Sequence, residues 1–223
     1  MRRMCGRYTL RITSQELAEF FDLFRQPETT PRYNIAPTQN VLVIRSSSGN
    51  TAREAVPMRW GLIPSWSKSL TGPPLFNARS ETVAEKPSFR TAFRRRRCLI
   101  PADGFYEWQA LTPKQKQPHY ITLRSGQPFA FAGLWEAWQS PTGPIESCTI
   151  LTANPFMQPL HDRMPVILSP EEFNLWLDAE LSEPEQLQPM LNQYPDNEIS
   201  AFAVSSLVGS VRNDSPELVL PRE

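Results

Sequence analysis

Tyr120-Ile121-Thr122-Leu123-Arg124, Phe129-Ala130-Phe131-Ala132-Gly133-Leu134-Trp135 and Cys148-Thr149-Ile150-Leu151-Thr152-Ala153 are short apolar runs parted by breaks that contain Ser, Gly and Pro. Their β-branched and aromatic content and turn-forming borders read as strands. Asn40–Ile44, Cys98–Pro101, Val166–Leu168 and Ala201–Val204 repeat the pattern on either side. Strands in such number, with few helices between them, favour antiparallel pairing over β-α-β crossovers. The expected fold class is α+β: a single domain over residues 1–223, mainly antiparallel strands in two packed sheets or a partly closed barrel with a few flanking helices.

Helical spacing is confined to a few places. Leu17, Phe20, Phe21 and Phe24 fall at i, i+3, i+4 and i+7, with Thr13 and Glu16 placed as a capping box. A second helix is expected from Ser169 as N-cap, with Pro170 at its first position and Glu172 at its third, through Phe173, Leu175, Trp176 and Leu177. A shorter third is expected near Glu185–Gln193.

The chain has 223 residues, 40% of them hydrophobic and 21% charged, the balance of an ordinary globular protein. No apolar run approaches the length of a membrane span, and the N-terminus has no apolar signal core. Cys5, Cys98 and Cys148 cannot all pair, so reduced thiols in a cytoplasmic setting are expected. The net charge of zero hides a split: residues 1–100 carry 17 basic and 7 acidic side chains, residues 101–223 carry 6 and 16. Nineteen of the bases are Arg, whose rigid fork suits bidentate phosphate contacts. Two readings stand, a polyanionic partner for one face or mutual attraction between the halves of one fold.

The side chains that could carry chemistry are few. A cysteine exposed at a true N-terminus offers an α-amine of pKa about 7.7–8.0 beside a thiol near about 8.5. That pair can condense with an aldehyde to an imine and close it as a thiazolidine. Cys5, in Met4-Cys5-Gly6-Arg7-Tyr8, is either such a nucleophile, with Arg7 raising its thiolate fraction, or a small buried side chain. His161, in Leu160-His161-Asp162-Arg163, suits general acid–base work or a structural role. Glu107, hemmed by Phe105, Tyr106 and Trp108, is expected to keep its proton toward neutrality if desolvated, or else points to solvent. Asn77 and Arg79 share one face of an extended segment and could hold a phosphate or an amine. Trp66, after a proline in a polar loop, is the better candidate for stacking on bases, whereas Trp60 reads as core. Arg94–Arg97 is either a phosphate patch or a solvated face. Metal-ligand spacings and nucleotide-binding glycine loops are missing, so no metal and no cofactor, nucleotide or other, is expected.

Seven blocks, in order along the chain, together resemble the SRAP family, the SOS-response-associated peptidases also called abasic site processing proteins. They are Cys5-Gly6-Arg7-Tyr8, Arg32-Tyr33-Asn34-Ile35-Ala36-Pro37, Trp60-Gly61-Leu62-Ile63-Pro64, Asn77-Ala78-Arg79-Ser80-Glu81-Thr82, Asp103-Gly104-Phe105-Tyr106-Glu107-Trp108, His161-Asp162-Arg163-Met164-Pro165 and Val208-Gly209-Ser210-Val211-Arg212-Asn213. The resemblance implies a sensor of abasic sites in single-stranded DNA, acting as a monomer and forming a covalent thiazolidine cross-link through Cys5 that shields the lesion. It implies that Asn77 holds the cysteine's amine and that Glu107 and His161 move protons. Arg7, Arg79 and Arg163 would bind flanking phosphates, and Trp66 and Trp108 would line or wedge the strand.

In that family the cysteine directly follows the initiator methionine, whereas here Met1-Arg2-Arg3 precede Met4-Cys5. With these attached, Cys5 has no free α-amine. Translation from Met4 followed by methionine trimming would restore it, as would self-processing by the family's suspected peptidase activity; the first is the expectation. Two other functions are weighed beside the cross-linker. One is a thiol-dependent hydrolase or (auto)peptidase using Cys5 with Glu107 and His161. The other is a non-catalytic single-strand binding module.

Overall fold

Thirteen strands are present among the residues that the computed structural model describes, 6–47, 52–70, 72–154, 163–192 and 194–222. They are β1 (Tyr8–Leu10), β2 (Arg32–Ile35), β3 (Asn40–Ser46), β4 (Arg53–Trp60), β5 (Asn77–Arg79), β6 (Arg97–Ala102), β7 (Gly104–Ala110), β8 (Lys116–Leu123), β9 (Phe129–Ser140), β10 (Gly143–Ala153), β11 (Met164–Pro165), β12 (Ile167–Leu168) and β13 (Ile199–Ala203). One sheet has the order β13-β8-β7-β1-β2. In the other, β10, β4, β3, β6 and β9 follow one another and β9 pairs back to β10, so the ladders close into a ring that removes the open edges. β5, β11 and β12 extend this ring at β10 and β9. Among the described strands only the β10–β4 and β10–β5 pairings are parallel. The fold is thus the expected α+β arrangement of mainly antiparallel strands. No helix among the described residues is long and apolar enough to cross a membrane.

Aromatic residues join the two sheets. Tyr8 of β1 meets Trp60 of β4 and Phe131 of β9 edge-on at 5.3 and 5.7 Å, and Phe105 of β7 meets Phe131 at 5.8 Å. Edge-to-face pairs of this kind add about 0.5–1.5 kcal/mol each beyond simple burial. Trp60 is a core residue, as its sequence suggests, and its indole N–H donates to Phe76 O at 2.8 Å.

The helices follow their caps more closely than their apolar spacing. α1 (Ser14–Phe20) carries the Thr13/Glu16 capping box, but Asp22 turns to φ 50° and ends the helix. Phe24, expected on the buried face, is therefore 72% exposed. A short α2 (Arg90–Arg95) precedes β6. Ser169 opens a 3-10 turn (Pro170–Glu172) that continues as α3 (Phe173–Leu177), whose Leu175 faces out. α4 (Pro184–Leu187) runs into a 3-10 turn at Gln188–Leu191.

The charge split has a structural counterpart. Among the described residues every ion pair but Arg45–Glu54 joins residues 1–100 to residues 101–223, as in Arg11–Asp103, Arg32–Asp214, Arg45–Glu146, Arg94–Glu183, Arg96–Glu136 and Glu81–Arg163. The Arg94–Arg97 run is neither a uniform phosphate patch nor a solvated face. It straddles the end of α2 and the start of β6, so its side chains diverge. Arg97 turns inward to donate to Phe93 O at 2.9 Å and Trp176 O at 2.6 Å, and burial pushes its guanidinium down to about 10.

Buried Asp103, between β6 and β7, fixes β1. It accepts from Thr9 Oγ1, from Arg11 N at 2.8 Å and from Arg11 Nε at 3.0 Å, while Thr9 Oγ1 also meets Tyr120 Oη at 2.9 Å. The knot closes only because Gly104 lets the Tyr120 ring lie against the backbone. A Cβ at Gly104 would come within 2.0 Å of Tyr120 Oη. Gly104→Ala is therefore expected to lower the unfolding free energy by about 1–3 kcal/mol through overpacking, measured by urea denaturation. An unchanged midpoint would show that Tyr120 can move aside.

Candidate functional site

β1 lies between β2 and β7, and Tyr106 N–H donates to Arg7 O at 3.0 Å, so residues 6 and 7 run beside β7. There they open onto a cleft of about 450 Å³. Gly6 and Arg7 form one wall, and Glu107, Trp108 and Lys116 of the β7–β8 hairpin another. Ala36 and Pro37 after β2, Phe76 before β5, and Gly209 and Val211 near the C-terminus complete it. Two further concavities, of about 670 and 470 Å³, are lined by residues between Leu10 and Pro57 and hold none of the nominated residues.

Glu107 is 2% exposed. Burial pushes its carboxyl well above the ordinary carboxylate range, with the Trp108 backbone N–H and the charge of Lys116 pulling only part of the way back. Burial thus favours the protonated, proton-donating form of Glu107 over what a solvated carboxylate would show. Arg7 donates from Nη2 to Gly209 O at 3.4 Å, and its guanidinium lies 5.9 Å from the centre of the Trp108 ring. Asn34 fixes the opposite wall: its Nδ2 donates to Ser210 O at 2.9 Å and Asn213 O at 2.8 Å, while Asp214 accepts from Asn34 N at 2.9 Å. Thr38, just past Pro37, is held at φ 74°, a strained setting for a β-branched residue, by its N–H to Trp60 O at 2.7 Å.

Asn77 and Arg79 occupy β5 as an extended strand, paired with Ile150 and Thr152 of β10. Arg79 is exposed; Asn77 is half-buried and follows Phe76 of the cleft wall. Arg163 also gathers at the end of β10, donating to Thr152 O and Glu81 Oε2 at 2.7 Å each and to Asn154 Oδ1 at 2.7 Å. Burial alone would raise the Glu81 carboxyl, but the hydrogen bond from Arg163 and the charges of Arg163 and Arg79 hold it below the ordinary range. Trp66 is not among the cleft's lining residues; it stands 65% exposed on the turn after β4. Cys5 and His161 lie outside the described residues.

Sequence reading missed Lys116. Its signal appears only once β7 and β8 are paired: the register Trp108↔Pro118 and Ala110↔Lys116 sets Lys116 on the face of Trp108. The other two cysteines are buried and free, and burial pushes both thiols far above the ordinary thiol range.

The chain matches the SOS response associated peptidase (SRAP) family over residues 4–211 and belongs to it. It is 46% identical to the abasic site processing protein YoqW of Bacillus subtilis, over 97% of this chain and 99% of that protein. It is 34% identical to the abasic site processing protein YedK of Escherichia coli, over 98% of this chain and all of that one. Among solved structures, a Bacteroides thetaiotaomicron protein superposes with a TM-score of 0.84 at 25% identity, covering 98% of this chain and 100% of its own.

Glu107 gives a signed pH effect. Folding raises its pKa above the unfolded value near 4.5, so the folded state binds more protons and loses stability as pH rises beyond that value. Glu107→Gln cannot titrate. Its stability relative to the parent is expected to climb, at up to about 1.4 kcal/mol per pH unit, between the unfolded and the folded pKa and to level off outside that window. Urea denaturation of both proteins from pH 4 to pH 8 tests this, and parallel curves would place Glu107 in water.

Proposed function

We propose that this protein processes abasic sites in single-stranded DNA by forming a covalent thiazolidine cross-link through Cys5. The observation that carries the reading is the company Glu107 keeps: a proton-holding carboxyl shares one cleft with Gly6, the residue covalently joined to Cys5. With Cys98 and Cys148 sealed, Cys5 is left as the thiol for attack.

The base-less sugar presents an aldehyde at C1′. The Cys5 α-amine adds to it, the carbinolamine hydroxyl leaves as water on taking a proton from Glu107, and the resulting iminium returns its N–H proton to the Glu107 carboxylate, giving an imine. The thiol then adds to the same carbon and its proton passes to nitrogen, so one water is released for each thiazolidine formed. Asn77 holds the amine and His161 shuttles protons. Arg7, Arg79 and Arg163 bind phosphates, joined by Lys116 at the cleft, while Trp108 and Trp66 contact flanking bases. The protein acts as a monomer in a reducing, cytoplasmic compartment and needs no metal or cofactor. The amine must be free, so Met1–Met4 are absent from the active form; self-cleavage, in keeping with the peptidase named in the family's description, is the alternative to a start at Met4.

Protein beginning at Cys5, mixed with single-stranded DNA carrying one abasic site, is expected to give a heat-stable shifted band on a denaturing gel. Cys5→Ala and protein retaining Met1–Met4 are expected to give none. Amide hydrolysis by the blocked protein would favour the hydrolase reading instead. Four cationic contacts also predict that reversible binding by Cys5→Ala falls with a log–log salt slope of about −3; a slope near zero would remove DNA as the partner.

A further inference from the structure

The turn that carries Trp66 is held by three successive odd-numbered residues. Ile63 N–H donates to Ser147 Oγ at 2.9 Å, Ser65 N–H to Glu136 Oε2 at 3.2 Å, and Ser67 O accepts from the Trp138 indole at 2.6 Å. Ser67 N–H closes the turn on Pro64 O at 2.9 Å. The partners all come from the β9–β10 hairpin, in which Glu136 is paired with Ser147 and Trp138 with Ile145. A backbone fixed at 63, 65 and 67 presents Trp66 outward, and the indole is 65% exposed, unusual for so large an aromatic.

Glu136 is the costly member of this set. It is 3% exposed, and its Oε1 is bound by the Arg96 fork, with Nε at 2.6 Å. A buried carboxylate paired with an arginine rarely stabilises a fold more than apolar residues of the same volume would, so the pair is better read as fixing a geometry. Here Arg96 orients the carboxylate, and the carboxylate's second oxygen holds the Ser65 N–H. A stacking aromatic on a rigid turn loses less freedom when a base settles on it.

We propose that Glu136, oriented by Arg96, is a positioning residue that pre-sets the Pro64–Ser67 turn so that Trp66 is ready to stack on a base of the bound strand. The proposal rests on the reading of Trp66 as a DNA contact.

The test follows single-turnover cross-linking of an abasic single-stranded oligonucleotide by protein beginning at Cys5, against protein concentration. Trp66→Ala is expected to raise the half-saturating concentration about tenfold. Glu136→Gln is expected to raise it about three- to tenfold, to leave the saturating rate unchanged, and to add nothing in the Trp66→Ala background. Arg96→Lys keeps the charge balance but loses the fork. It is expected to act in the same direction and covers the case in which Glu136→Gln folds poorly. An effect of Glu136→Gln that persists in the Trp66→Ala background, or that falls on the saturating rate, would overturn the positioning role, as would no effect at all. If Trp66→Ala leaves half-saturation unchanged, the stacking role of Trp66 fails and this proposal with it. No cross-link by the parent protein would instead refute the proposed function, a distinct result.

Discussion

A buried carboxylate must be met by hydrogen bonds, and Asp103 meets that demand with Thr9 and Arg11. β1 is only three residues long, yet through this knot it takes the place between β2 and β7. Everything at the cleft follows from that placement. Fixing Thr9 and Arg11 fixes Tyr8 as the aromatic link to the ring of strands, and it sets Gly6 and Arg7 alongside the Tyr106–Trp108 stretch. Losing the Asp103 contacts would release the segment that leads to Cys5 before it disturbed the ring.

Once β1 is set, the cleft separates two electrostatic tasks. Glu107 sits out of water, where burial favours its protonated form, while the cations stand at the margins: Arg7 and Lys116 at the cleft itself, Arg79 and Arg163 at the end of β10. A reaction that needs a proton donor at a sugar carbon and positive charge at the flanking phosphates is served by this division. The reverse arrangement, a solvated acid among buried cations, would not hold the proton. The ion pairs that join the basic and acidic portions of the chain show that many arginines serve the fold, which leaves a small set for the ligand.

Much of this was legible from residues alone, for identifiable reasons. β-branched and aromatic runs marked β3, β6, β8, β9, β10, β12 and β13, several of them over only part of their length, Trp60 was recognisable as core, and the Thr13/Glu16 cap marked the start of α1. β4 was missed because Pro57 and its charged ends break the pattern. Pro57 is tolerated because, beside β3, β4 is met only at its ends, by Leu23 at Arg53 and by β10 at Arg59 and Trp60. β1, β2 and β5 are too short to show periodicity and take their form from tertiary pairing. The Arg94–Arg97 run was misleading because a helix end and a strand start fall inside it. At the site, Glu107 could be picked out by its aromatic neighbours, but whether it faced core or solvent was undecidable until β7 was paired on both sides. Lys116 became visible only with the hairpin register, and Trp66 emerged as exposed because β9 and β10 hold its backbone.

For the proposed chemistry to run, Glu107 must carry a proton in the folded protein at neutral pH. The most direct measurement is the infrared difference spectrum between the parent protein and Glu107→Gln at pH 7. A protonated-carboxyl carbonyl band present in the parent and lost in the variant is the predicted result. A difference spectrum that shows only the loss of carboxylate bands would mean that Glu107 is ionised, and the cleft would then lack the proton donor on which the proposed chemistry depends.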